Sequence, residues 1–249
     1  MEKHRKVAFI SGSGSKLGSA IASHMLDLGF DLLLHYYTSG NFANEIKQKA
    51  LHLGKKAILI QGDFSNTDLI DDFLNKLADS VEQEFGGIDV VINSASIMKP
   101  SRMDSFSPAS LQELLCVNAI APIMIINKVA SFAGNDVSCI NLTDVGADLL
   151  WKNFAGYSLS KKILADSVRY QTAQFAPKVR INNLALGIFS QSDWMTNELM
   201  AQLVAKIPAG RIGRVEEILS AIDLLINNQY IIGQTIVVDG GRTVKGLGE

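Results

Sequence analysis

Short apolar runs alternate with helix-length amphipathic stretches through most of this chain, and that rhythm restricts the fold more than any other feature. Val7–Ser11, Asp31–His35, Ala57–Gln61, Asp89–Asn93, Val137–Leu142, Arg180–Leu186 and Thr235–Val238 have strand length and are nearly continuously apolar. That is the pattern of strands buried on both faces. Helical periodicity fills the intervals at residues 16–28, 41–53, 66–85, 107–133, 155–175 and 214–227. The alternation predicts βαβ units and an α/β fold: a doubly wound parallel sheet of about seven strands with helices on both faces. No Pro- or Ser-rich linker, repeat or low-complexity tract interrupts it, so residues 1–249 read as one domain. Residues 189–210 break the rhythm just after the carboxyl end of a late strand, where open α/β sheets bind their ligands. They are expected to cover a substrate.

Composition removes several function classes. The chain is 47% hydrophobic, which excludes disorder. Its 23 basic residues nearly balance 25 acidic ones, so the basic excess of a nucleic-acid-binding surface is missing. Cys116 and Cys139 stand alone among apolar neighbours and read as buried thiols of a reducing compartment, with no metal site and no disulfide framework. The apolar run Val7–Ile10 is too short for a signal-peptide core, and no run approaches the roughly 18 apolar residues of a membrane span. A soluble cytoplasmic protein without a membrane partner is expected.

The first strand runs into Ser11-Gly12-Ser13-Gly14-Ser15-Lys16-Leu17-Gly18, and an amphipathic helix follows. Glycines in such a turn let the backbone approach a pyrophosphate, and the helix N-terminus offers unpaired N–H donors to it. A dinucleotide site that selects NAD ends its second strand with Asp or Glu, to accept from the ribose 2′-hydroxyl. Here the strand ends Leu34-His35-Tyr36-Tyr37-Thr38-Ser39 with no carboxylate, while Lys16 is placed to neutralise a 2′-phosphate. NADPH/NADP is therefore the expected cofactor.

These features, with those that follow in order along the chain, resemble a short-chain dehydrogenase/reductase of Rossmann-like fold. Tyr157-Ser158-Leu159-Ser160-Lys161 matches the family's Y-x-x-x-K, and residues four apart on a helix share a face. Asp63, the Asn93-Ser94-Ala95-Ser96 segment, Asn118 and the closing Gly233-Gln234-Thr235 and Val238-Asp239-Gly240-Gly241 match further family positions. Within the family the chain is similar to pteridine reductases and bacterial dihydromonapterin reductases. It shares with them the basic Lys16, the His35-Tyr36-Tyr37-Thr38-Ser39 segment, Asn118-Ala119-Ile120-Ala121-Pro122, Gln61-Gly62-Asp63-Phe64-Ser65 and Asp239-Gly240-Gly241-Arg242. Most specifically, Leu142-Thr143-Asp144 puts Asp144 thirteen residues before Tyr157, where other members carry a catalytic Ser. It departs from them in three places. Thr38 stands where a basic residue is frequent, Ile97-Met98-Lys99-Pro100 lacks the aromatic that stacks on a pterin, and Leu186-Gly187 replaces a Pro-Gly.

The resemblance implies a nicotinamide cofactor against Gly12, Ser15, Lys16, Leu17, Gly18, His35, Tyr36, Ser39, Asp63, Phe64, Asn93, Ala95, Ser96, Gly187 and Phe189. It places Ser96, Met98 and Trp194 beside the substrate. It implies Tyr157 as proton donor, Lys161 lowering the phenol's pKa from about 10 and holding the ribose, and Asn118 holding a relay water. Asp144 bears on the substrate independently of the likeness, through its charge or, when protonated, as a proton donor. A carboxylate opposes the alkoxide formed from a ketone, but favours the protonated nitrogen formed from a C=N bond. The leading expectation is thus an NADPH-dependent dihydropteridine reductase assembled as a homotetramer or homodimer. A carbonyl or 3-oxoacyl-thioester reductase of the same fold, and a non-catalytic NADP(H)-binding regulator, remain as alternatives.

Overall fold

The computed structural model describes residues 5–134, 136–149, 151–191 and 195–244. Seven strands run through them: β1 (Val7–Ser11), β2 (Asp31–Tyr36), β3 (Ala57–Gln61), β4 (Val90–Asn93), β5 (Val137–Asp144), β6 (Val179–Leu186) and β7 (Thr235–Val238). All pair in parallel, in the order β3-β2-β1-β4-β5-β6-β7. The helices are α1 (Lys16–Asp27), α2 (Asn41–His52), α3 (Thr67–Glu84), α4 (Pro108–Leu115), α5 (Ala121–Phe132), α6 (Ala155–Phe175), α7 (Asn197–Val204) and α8 (Val215–Asn227).

Alternate strand residues feed two cores, which is why the strands read as continuously apolar. Phe9, Leu33, Val91, Cys139 and Ile181 pack with Phe73, Ile125, Val129 and Val168 on one face. Ala8, Ile10, Leu32, Leu34, Ile92, Ile140 and Leu184 pack with Ile21, Met25, Ile46, Ile222 and Leu225 on the other. The strand order reverses between β1 and β4, so the chain leaves these neighbours in opposite directions and opens a crevice at their carboxyl ends.

Two boundaries differ from the sequence expectation in ways that shape the site. Eight consecutive pairs with β6 carry β5 two residues further, so Asp144 is the last residue of the strand. The stretch expected as one helix at 107–133 contains a π-helical turn at Cys116–Ile120, centred on Asn118. Single π turns inside α-helices frequently mark functional positions. Pro108–Phe132 as a whole reaches a mean hydropathy of 1.7 over 18 residues, long and apolar enough to cross a membrane. It is not an unbroken apolar run, since Gln112, Glu113, Asn118 and Asn127 interrupt it. Its Cys116, Ala121, Ile125, Ile126 and Val129 are buried against the sheet, so this apolar face is already used by the core.

A row of amides ties the middle strands together. Asn93, Asn141, Asn183 and Thr235 stand in register across β4, β5, β6 and β7. Asn93 Nδ2 donates to Asn141 Oδ1 at 2.9 Å, Asn141 Nδ2 to Asn183 Oδ1 at 3.3 Å, and Asn183 Nδ2 to Thr235 Oγ1 at 3.2 Å. All three asparagines are buried. Removing the central one leaves buried donors and acceptors unpaired, so Asn141→Ala is expected to lower unfolding free energy by about 2–3 kcal/mol. A shift of the urea midpoint at unchanged slope checks this, with exposed Asn227→Ala near neutral.

Candidate active site

The glycine turn is built from the β1 end outward. Gly12 has φ +71°, and a Cβ there would stand 2.8 Å from the Ala95 backbone, so only glycine fits. A Cβ on Gly14 would run into the Ser39 carbonyl, so this turn lies directly against the segment after β2. Ser15 caps α1, its side chain accepting from Gly18 N–H. Ser11 Oγ, a position that the sequence reading passed over, accepts from both Ser94 N–H and Ala95 N–H at 3.0 Å and locks the β4 loop to the turn.

Between these loops lies a cleft of about 330 Å³. Gly12, Ser15, His35, Tyr36, Ser39, Asp63, Phe64, Ala95 and Ser96 line it, as expected, and so do Gly14, Tyr37 and Glu113. The residues present fit a dinucleotide: a turn with glycine at its two closest approaches, a capped helix N-terminus and a cleft at the reversal point of the sheet. Lys16 is exposed at the first position of α1 and makes no ion pair among the described residues. Asn93 lies beneath the cleft in the amide row, donating also to Pro122 O at 3.3 Å. Gly187 sits at the end of β6, where a Cβ would stand 2.7 Å from Asp239 Cα. Phe189 lines a separate hollow of about 310 Å³ beside β7. Met98 is exposed on the loop after β4, and Trp194 lies outside the described residues.

His35 lines the cleft with both ring nitrogens already engaged. Nδ1 accepts from Gly12 N–H at 3.1 Å, and Nε2 meets Gly62 O at 3.1 Å. Its ring stacks on Phe64 at 4.2 Å between centroids. The histidine therefore clamps the glycine turn to the β3 loop.

The reacting groups converge at the end of β5. Tyr157 and Lys161 lie one turn apart on α6, and both are buried. Tyr157 Oη donates to Asp144 Oδ2 at 2.9 Å, while Asp144 Oδ1 accepts from Gly146 N–H at 2.6 Å. Lys161 Nζ donates to Leu142 O at 2.9 Å and stands 5.9 Å from the centre of the Tyr157 ring. Asn118 uses its whole amide: Oδ1 accepts from Ser96 Oγ and Ile97 N–H, and Nδ2 donates to Ile97 O and Ser160 Oγ. It pins the β4 loop to α6 and keeps no side-chain hydrogen for a water.

Charge is distributed differently from the sequence expectation. Burial, followed by the charge of Asp144 and the hydrogen bond to it, pushes the Tyr157 phenol well above its ordinary range; contact with the Ser96 hydroxyl works the other way. Lys161 was expected to lower that pKa, but its ammonium is spent on the β5 backbone while a carboxylate occupies the phenolic proton. Burial also raises Asp144, against the pull of Gly146 N–H, Lys161, Tyr157 and Arg242. Lys161 falls to about 8 through burial, Asp144 opposing. Trp151, from the β5–α6 connection, stacks on Tyr157 at 6.3 Å and 8° between planes; no sequence signal marked it. Arg242, which the sequence reading used only as part of a likeness, lies over Trp151 with Cζ 5.4 Å from the ring centre.

Burial lowers the pKa of His35 from 6.5 to about 4. Between these values the unfolded chain binds the proton and the folded one does not, so stability is full above pH 6.5 and is lost as pH falls towards 4. At pH 5 the loss is about 2 kcal/mol relative to pH 8. Urea unfolding at the two pH values checks it: the unmodified protein should lose about 2 kcal/mol more than His35→Gln.

Comparisons with known proteins bear on this arrangement. Residues 12–243 match the family model described as Enoyl-(Acyl carrier protein) reductase. An uncharacterized oxidoreductase of Methylorubrum extorquens is 25% identical over 95% of this chain and 97% of its own. The 3beta-hydroxysteroid dehydrogenase 1 of Eggerthella lenta is 26% identical over 96% and 94%. A short-chain dehydrogenase/reductase from Serratia marcescens superimposes with a TM-score of 0.87, at 22% identity over 96% and 98% of the two chains. The chain is an oxidoreductase and belongs to the short-chain dehydrogenase/reductase family.

Proposed function

We propose that this protein is an NADPH-dependent reductase of a C=N bond in a dihydropteridine-type ring. The observation that carries the reading is the buried hydrogen bond from Tyr157 Oη to Asp144 Oδ2 at 2.9 Å. The cofactor, when bound, supplies hydride from its reduced nicotinamide. The chain's own residues manage the proton. A C=N acceptor gains hydride on carbon and must gain a proton on nitrogen. The proton passes to the ring nitrogen from the Tyr157–Asp144 pair, whose carboxyl is raised by burial, and the loss falls on the Tyr157 hydroxyl. Lys161 then faces the phenolate so formed. As a carboxylate, Asp144 favours the positive charge that gathers on the nitrogen. Trp151 offers, from another loop, the aromatic surface that residues 97–100 lack.

NADPH is favoured by Lys16 and by the absence of a carboxylate at the end of β2. Assembly as a homotetramer or homodimer is supported by the exposed stripe Leu159, Ile163 and Tyr170 on α6. The alternative reading, a carbonyl reductase, is favoured by the similarity to a protein named as a hydroxysteroid dehydrogenase and by the exposed, non-aromatic Met98. In that chemistry Asp144 would oppose the alkoxide and hold the Tyr157 proton away from it.

Exchanging the charge separates the two. Asp144→Ser is expected to lower kcat/KM for 7,8-dihydromonapterin by about 10²–10⁴-fold, the scale of a positioned acid. Reduction of an activated ketone should be unchanged or faster, because a charge opposing the alkoxide is gone. Steady-state rates with NADPH and with NADH on both substrates check this. Parallel losses on the two substrates, or turnover of the ketone alone by the unmodified protein, would favour the carbonyl reading.

A further inference from the structure

Arg242 is an unusual cation for its surroundings. It follows the Asp239-Gly240-Gly241 turn after β7 and is partly buried. Its guanidinium lies over Trp151, whose ring is parallel to that of Tyr157. Trp151 in turn is held against Gly146, where a Cβ would stand 2.8 Å from the indole and 3.0 Å from Asp144 Oδ1. The four side chains Asp144, Tyr157, Trp151 and Arg242 therefore form one continuous patch. Asp144 and Asp239 are close enough to act electrostatically on Arg242. Asp239 is itself occupied, accepting from Gly241 N–H at 2.8 Å and Thr243 N–H at 2.7 Å. Among the described residues the guanidinium has no hydrogen-bond partner, whereas the buried Arg180 of β6 donates to Asp136 and to three backbone carbonyls.

A guanidinium has five donors in a rigid planar fork suited to two adjacent acceptors. None of the Arg242 nitrogens is among the buried unpaired atoms of the described residues, so the fork is open to solvent and free to meet a ligand. Stacking on Trp151 fixes the plane of the fork without consuming any donor. We infer that Arg242 is a specificity-determining residue that grips the acceptor edge of the substrate's planar ring, donating to the carbonyl oxygen of a fused pyrimidinone. Trp151 sets the plane of the fork, and the C=N bond beside that carbonyl is presented to Tyr157 and Asp144. The ring's identity rests on the pteridine reading; the grip itself needs only an acceptor edge. Substrates without such an edge bind without help from Arg242.

The test compares the unmodified protein with Arg242→Met, Arg242→Lys and a surface control, exposed Arg169→Met. Binding of fluorescent 6-hydroxymethylpterin to protein saturated with NADP⁺ gives a readout apart from turnover. NADPH-dependent reduction is followed with 7,8-dihydro-6-hydroxymethylpterin and with 3,4-dihydroisoquinoline, a cyclic imine without an acceptor edge. Loss of a charge-assisted fork predicts that Arg242→Met raises the pterin Kd and the dihydropterin KM by about tenfold or more, with kcat changed by less than about threefold. Arg242→Lys should recover only part of this, Arg169→Met should match the unmodified protein, and the imine should keep its kcat/KM. A fall in kcat at constant KM with a displaced pH profile would make Arg242 a positioning partner of Asp144 and overturn the inference. Equal losses on both substrates would overturn it as well. If the unmodified protein neither binds the pterin nor reduces the dihydropterin, the pteridine reading falls, and Arg242 is judged on benzoylformate against acetophenone. Loss of a preference for the acid in Arg242→Met then supports the grip; an unchanged preference, or none in the unmodified protein, overturns it.

Discussion

Parallel strands cannot be joined by a hairpin turn, so each is followed by a crossover that brings the chain back to the edge where it started. Every loop that leaves a strand therefore opens at the same edge of this sheet. Ser11, Asn93, Asp144 and Leu186 are the last residues of β1, β4, β5 and β6. That shared edge gathers the glycine turn, the β4 loop, the acidic end of β5 and the β7 turn around one crevice. The amide row across β4, β5, β6 and β7 fixes their relative heights. Displacing one strand by a residue would turn Asp144 to the opposite face.

The burial that stabilises the sheet also sets the chemistry. In water, a carboxylate and a phenol would both titrate far from each other's range. At the buried end of β5 the carboxyl is raised, and the phenol donates to it and is raised further. A Ser at position 144 would leave the phenolic proton free for a substrate oxygen. Asp144 instead holds the phenolic hydrogen in a hydrogen bond. Lys161, drawn down to about 8, is anchored to Leu142 O. It stands 5.9 Å from the centre of the Tyr157 ring.

Much of this was legible in the residues. Strand and helix positions followed from apolar periodicity, because both faces of each strand are covered. The cleft followed from Gly12 to Gly18, since glycine spacing records backbone geometry directly. Tyr157, Lys161 and Asp144 stood out through the family resemblance, whose motif spacing is local. What the sequence hid was long-range. His35 lines the cleft, but nothing in its neighbours signals that Gly12 N–H and Gly62 O will take both its nitrogens. Trp151 and Arg242 are 91 residues apart and meet only because β7 closes the sheet beside β6. Helix 107–133 carried no visible sign of its π turn, at whose centre Asn118 is bonded to Ile97 and Ser160.

The coupling of Tyr157 to Asp144 can be read without any substrate. The protein has 5 tyrosines, and [¹³Cζ]tyrosine labelling with Tyr157→Phe for assignment isolates the one at issue in a pH titration by NMR. In the unmodified protein the Tyr157 resonance should not titrate below about pH 10, and in Asp144→Ser its midpoint should fall by at least about one unit. A Tyr157 that titrates below its ordinary value in the unmodified protein, or identically in both, would contradict the account.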